Sequence, residues 1–115
     1  MTVGSLARDD VVTCGLTDTV GAVHELIASS RYPFAIVVAA RRAVLGRLPR
    51  SKCHCDPGTP VEDVMEPGPS TVRPHKTAAT IAKTLADKQL RWAIVTTPEG
   101  ELIGVATRTE LEAAG

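Results

Sequence analysis

The sequence predicts an α/β (α+β) fold built from two copies of one small unit, each a three-stranded sheet with two helices, packed sheet to sheet. Three observations lead there: the chain matches itself at a fixed shift, short apolar runs alternate with stretches of helical spacing, and the core must be aliphatic. The 115 residues are 43% hydrophobic but only 3% aromatic, so Val, Ile, Leu and Ala have to build the interior.

The self-match is the central observation. When Thr19 is laid on Thr77, a shift of 77 − 19 = 58, residues 13–52 cover 71–110 without a gap. Eight pairs are identical: Thr13/Thr71, Thr19/Thr77, Ala28/Ala86, Ala35/Ala93, Ile36/Ile94, Val37/Val95, Gly46/Gly104 and Arg50/Arg108. Chance in so Ala- and Val-rich a chain gives roughly two to four. The hydrophobic pattern that travels with the identities is the stronger sign.

Each copy opens on a short apolar stretch, Val11-Val12 or Thr71-Val72. A polar turn follows, ending in Thr19 or Thr77, which suits a helix N-cap. Val20, Val23 and Ile27 then share one helical face, as do Ala78, Ile81, Ala82 and Leu85. A five-residue run, 34–38 or 92–96, has the length and β-branched content of a buried strand. After a turn, clearest at Pro98-Glu99-Gly100, a second strand appears at 44–48 or 102–106. A short helix is expected over 107–114, with its counterpart starting at Pro49, a residue tolerated in a first helical turn. One copy holds too little core to be stable alone, so the two are expected to share one about a pseudo-twofold axis. Residues 1–60 are assigned to the first copy and linker, and 61–115 to the second, which a short helix at 61–65 introduces.

Composition excludes several function classes. Thirteen basic residues balance thirteen acidic ones, leaving no general field for nucleic acid or an anionic membrane. No apolar run approaches the roughly 20 residues that cross a bilayer. Residues 1–10 lack the basic-then-apolar layout of a secretory leader, so a cytoplasmic location is expected. Three cysteines, Cys14, Cys53 and Cys55, do not read as a disulfide framework. Cys53-His54-Cys55 has one intervening residue and no second cluster, against the wider spacing of zinc sites. No metal is therefore expected, and a metal or redox sensor through Cys53 and Cys55 is a minor alternative. Neither a Ser-His-Asp set nor a Gly-rich phosphate loop is present. The chain is expected to have no catalytic residues and no resident cofactor. Trp92 and Tyr32-Pro33-Phe34 are read first as strand entries and packing residues, with contact to an adenine ring the alternative for Trp92.

The second copy carries Val61-Glu62-Asp63-Val64-Met65, Ser70-Thr71-Val72-Arg73-Pro74, Gly100-Glu101-Leu102-Ile103-Gly104-Val105-Ala106-Thr107 and Glu110-Leu111. In this order and spacing the chain resembles the cystathionine-beta-synthase (CBS) domain pair over residues 8–113. The resemblance implies a regulatory module that binds rather than catalyses, with an adenosine-containing ligand (AMP, ADP or ATP) in a cleft of the second repeat. The implied ligand residues are Val72, Gly104, Val105, Thr107 and Glu110. Val72 would offer backbone hydrogen bonds to the base, and Gly104 with Val105 a close approach to the β-strand. Thr107 would meet phosphate at a helix start, and Glu110 the ribose hydroxyls. Glu110 stands where the family pattern has Asp, one methylene shorter. Thr107-Arg108-Thr109-Glu110 is equally a capping box, which satisfies helix N–H groups with no ligand. In the first copy Pro49 replaces the Thr and Lys52 the acid, so that cleft is not expected to be an ordinary nucleotide site. The resemblance also implies a homodimer and a regulated partner protein. A ligand-free dimerisation or interaction module is the principal alternative.

Overall fold

A computed structural model describes residues 1–114. In chain order the elements are α1 (Val3–Leu6), β1 (Val12–Cys14), α2 (Val20–Ala28), β2 (Phe34–Val38), β3 (Val44–Pro49), β4 (Glu66–Pro67), β5 (Thr71–Val72), α3 (Ala78–Asp87), β6 (Trp92–Thr96), β7 (Leu102–Thr107) and α4 (Arg108–Ala114). Thr19 and Thr77 hold extended backbones and accept from the N–H groups of Ala22 (3.4 Å) and Thr80 (3.3 Å), capping α2 and α3. Val20, Val23 and Ile27 are buried on α2, and Ala78, Ile81, Ala82 and Leu85 on α3, the two faces read from periodicity.

The chain forms two units, Val11–Pro69 in one, and Met1–Asp10 with the residues from Ser70 onward in the other. Within the first, the sheet order is β1-β2-β3-β4; within the second it is β5-β6-β7. In both, the opening strand runs parallel to the next, and a hairpin supplies the third. The hairpin registers are the same at the shift of 58. Phe34 pairs with Pro49 and Trp92 with Thr107; Val37 pairs with Gly46 and Val95 with Gly104. Even the register slip recurs, at Val37/Val38 and Val95/Thr96. Each unit has its own apolar cluster, with Val23, Ile27, Val37 and Leu48 in one and Leu85, Val95, Ala106 and Leu111 in the other.

The boundary between the units departs from the expected 60/61 division. Residues 61–69 complete the first unit: Val61 is fully buried in its cluster, and β4 adds a fourth strand beside β3, where three were expected. Residues 1–10 complete the second, where Val3 is fully buried and Arg8 bridges to Val105. The two leading segments are equivalent at the same shift. Val3 N–H donates to Lys76 O at 2.8 Å and Val61 N–H to Asp18 O at 2.8 Å; Gly4 and Glu62 repeat the match, donating to Pro74 O and Leu16 O at 3.0 Å. Each copy's leader is thus seated in the other copy's unit.

Two expected helices are shorter than read. Residues 61–65 give one 3-10 turn, Val61–Asp63, and the helix expected from Pro49 is one 3-10 turn, Arg50–Lys52. Pro49 ends β3 with an extended backbone and has no side-chain oxygen to cap a helix. Cys53 is then drawn into the apolar cluster, its thiol 3.7 Å from Pro49 O.

Candidate functional site

In the second unit, β7 delivers the signature residues to one end of the sheet. Gly104 and Val105 lie on β7, Thr107 ends it, and Glu110 sits in the first turn of α4. The Thr107 N–H and hydroxyl both donate to Glu110 Oε1, at 3.2 and 2.8 Å, while Glu110 N–H donates to Thr107 Oγ1 at 3.1 Å. This is the reciprocal capping box that T-x-x-E allows. Glu110 Oε2 faces Arg8 Nε at 3.4 Å.

Gly104 serves the leader. A Cβ there would stand 2.5 Å from Arg8 O and 2.7 Å from Arg8 C, so only glycine admits the chain so close. The approach lets Arg8 and Val105 exchange two backbone hydrogen bonds, at 3.0 and 2.8 Å. Gly104, Val105, Thr107 and Glu110 therefore come together around Arg8, which the sequence reading did not single out. Val72 stands apart from them on β5, paired with Val95 and packed against the apolar cluster.

Beside Thr107 lies an open cleft of about 410 Å³ lined by Arg91, Trp92, Thr107, Arg108 and Thr109. Strand register makes it: Trp92 opens β6 directly opposite Thr107 closing β7. Arg108 N–H donates to Arg91 O at 2.8 Å and holds the two arginine backbones together. The Arg108 side chain leans on Glu112, Nε to Oε1 3.5 Å, an exposed i,i+4 pair. Two guanidiniums, two hydroxyls and one indole on one wall suit an anion joined to an aromatic ring.

The first unit has a cleft at the equivalent place, about 380 Å³, lined by His24, Pro33, Pro49, Arg50, Ser51 and His54. Pro33 and Pro49 stand where the second unit has Arg91 and Thr107, which removes a guanidinium and a hydroxyl. Lys52, in place of Glu110, leaves no carboxylate at the signature position.

The cysteines lie in the first unit. Cys14 and Cys53 are buried and Cys55 is exposed. Burial, then Asp18 and Cys53, pushes the Cys14 thiol up to about 11; burial, then Cys55, raises Cys53. Raised thiols are poor nucleophiles and poor metal ligands at neutral pH. Among the described residues no group of three or more His, Cys, Asp or Glu is placed to hold a metal. No helix among them is long and apolar enough to cross a membrane.

The sequence profile of the CBS domain matches residues 54–114, more than half the chain. No curated protein sequence matches it. Solved structures do. The CBS domains of a transcriptional regulator from Streptococcus pneumoniae superpose with a TM-score of 0.87 at 21% identity, covering 98% of each chain. CBSX2 of Arabidopsis thaliana in complex with AMP gives 0.85 at 22% identity, over 98% of this chain and 94% of that one. The CBS domain protein PAE2072 from Pyrobaculum aerophilum, complexed with AMP, gives 0.80 at 19%, over 96% and 89%. The profile match, the strand–helix–strand–strand order repeated at a shift of 58 and these superpositions lead to one conclusion: the chain belongs to the CBS domain family and has the fold of a CBS pair.

Proposed function

We propose that the protein is a non-catalytic regulatory module of the cytoplasm that binds an adenosine-containing nucleotide at the second unit and signals to a partner protein. The observation that carries this reading is the Arg91–Trp92–Thr107–Arg108–Thr109 cleft at the end of β7. It includes the signature residue Thr107, and it keeps guanidinium and hydroxyl groups where its first-unit counterpart has prolines. That AMP occupies CBSX2 and PAE2072 supports the ligand class. Binding would bias the module between conformations by its differential affinity for them. A ligand at 100 times its dissociation constant stabilises the folded state by about 2.7 kcal/mol. A thermal-shift series with AMP, ADP, ATP and S-adenosylmethionine at millimolar concentration tests the reading. An upward shift that shrinks in Arg108→Ala and Thr107→Ala is expected; no shift with any of them in a folded sample rejects it.

A second reading, a ligand-free homodimer or partner-docking module, is favoured by the closed Thr107–Glu110 capping box and by Leu26, which is 54% exposed on α2. Under it, sedimentation analysis finds a dimer that Leu26→Asp weakens. A monomer at every concentration, with no partner recovered by pull-down, counts against it.

A further inference from the structure

We infer that the second-unit site reads its ligand through the phosphate chain and one ring face and leaves the sugar diol unread; this rests on the nucleotide reading above. A carboxylate that holds a ribose needs oxygens free to accept from two hydroxyls. In this arrangement only one Glu110 oxygen keeps acceptor capacity, and it faces a guanidinium. Glu110 Oε1 already accepts from the Thr107 N–H and hydroxyl, and Oε2 lies 3.4 Å from Arg8 Nε. A carboxylate oxygen offers about two acceptor directions, so Oε1 is filled. The Glu110 carboxylate curls back onto the helix start as a capping residue. To turn both oxygens to a diol, Glu110 would have to release the Thr107 N–H and hydroxyl and give up Arg8.

The cleft wall points to the other end of a nucleotide. None of Arg91, Trp92, Thr107, Arg108 and Thr109 is a carboxylate. Planar guanidiniums bind phosphate oxygens in pairs. The exposed Arg108–Glu112 pair is weak enough to yield to a phosphate. Trp92 offers an indole face to a base, a contact tolerant of which base it is. The ligand class is therefore a nucleoside polyphosphate with either sugar.

Calorimetric titration of the full chain with adenosine, AMP, ATP and 2′-deoxy-ATP, in magnesium-free buffer, tests this. ATP is expected to bind roughly tenfold or more tighter than AMP through added charge-assisted contacts. The 2′-deoxy compound should match ATP within about twofold, and adenosine should bind least, because contacts to the diol are absent. Glu110→Gln should keep ATP affinity within about twofold, while Arg91→Ala lowers it at least about fivefold and leaves adenosine unaffected. The inference is overturned if removing the 2′-hydroxyl costs about tenfold, or if adenosine binds as tightly as ATP; either result leaves the nucleotide reading standing. Binding by none of the four compounds overturns both.

Discussion

Gly104→Ala is the sharpest perturbation the structure offers. The new methyl carbon would stand 2.5 Å from Arg8 O, 2.7 Å from Arg8 C and 3.0 Å from Arg8 N, all backbone atoms that cannot swing aside. Relief requires the leader to lift from β7. That breaks the Arg8–Val105 exchange of two backbone hydrogen bonds, worth about 0.5–1.5 kcal/mol each, or leaves an overpacked contact costing about 1–3 kcal/mol. Val3, fully buried in the second unit's cluster, keeps the rest of the leader seated, so the loss should be partial, about 2–4 kcal/mol. For a chain of this length that is a fall in Tm of roughly 10 °C. The counterpart Gly46→Ala meets Met65 Sδ first, at 2.6 Å, the end of a flexible side chain, and Glu66 O at 2.9 Å. It should cost visibly less. Urea unfolding and hydrogen exchange at the Val105 amide measure both. The reasoning is refuted if Gly104→Ala lies within about 0.5 kcal/mol of the parent with the Val105 amide still protected, or if Gly46→Ala is the more damaging change.

Other consequences follow from single residues. Glu110→Ala removes the carboxylate half of the capping box, the acceptor for the Thr107 N–H and hydroxyl, and leaves the residue-110 N–H on Thr107 Oγ1; it should lower stability by about 1 kcal/mol, read by chemical denaturation. Arg8→Ala should cost well under 1 kcal/mol, because its side chain is 61% exposed; an equal loss in both variants would contradict the capping account. Arg41 holds φ 59° and ψ 24° at the β2–β3 turn, a left-handed conformation that costs a side-chain-bearing residue about 1–2 kcal/mol. Arg41→Gly is therefore expected to raise Tm, by part of that amount because glycine loses more freedom on folding; a lower Tm would show that the arginine side chain contributes more than its backbone costs. The fold raises the Cys14 thiol from its ordinary value of 9.0 to about 11. Its neutral form is favoured in the folded state, so the associated stability is complete below pH 9.0 and is lost as pH climbs to about 11. Cys14→Ala should flatten denaturation midpoints over that range; an unchanged slope would mean that the thiol titrates alike in both states.

The legible parts of the fold were those written into local pattern. Helices α2 and α3 announce themselves by Thr19 and Thr77 at their caps and by one apolar face, and the hairpins by their five-residue runs. Pro49 misled because a proline that opens helices equally closes strands, and the burial of Cys53 that decides between them is a tertiary event. The exchange of leaders is non-local too, yet Val3 matches Val61 at the shift of 58, an identity just outside the aligned 13–52 segment. At the site, the family resemblance singled out Gly104, Thr107 and Glu110, but the T-x-x-E spacing fits a capping box equally well. Side-chain geometry sets Glu110 on its own helix start, with Arg8 as the second partner. Arg91 and Trp92 were within reach of the sequence: once 92–96 and 102–106 form a hairpin, register alone sets Trp92 opposite Thr107. Thr109 and the Arg108–Glu112 pair become visible only once α4 has wound the first turn beyond β7.

Trp92 is the chain's single Trp and lines the proposed nucleotide cleft, so fluorescence excited beyond the absorption of Tyr32 reports on that site alone. Titration with ATP is the most direct measurement. The account predicts a saturable change in Trp92 emission that is weakened in Arg91→Ala. Emission that does not change up to millimolar ATP, or a change undiminished in that variant, would contradict it.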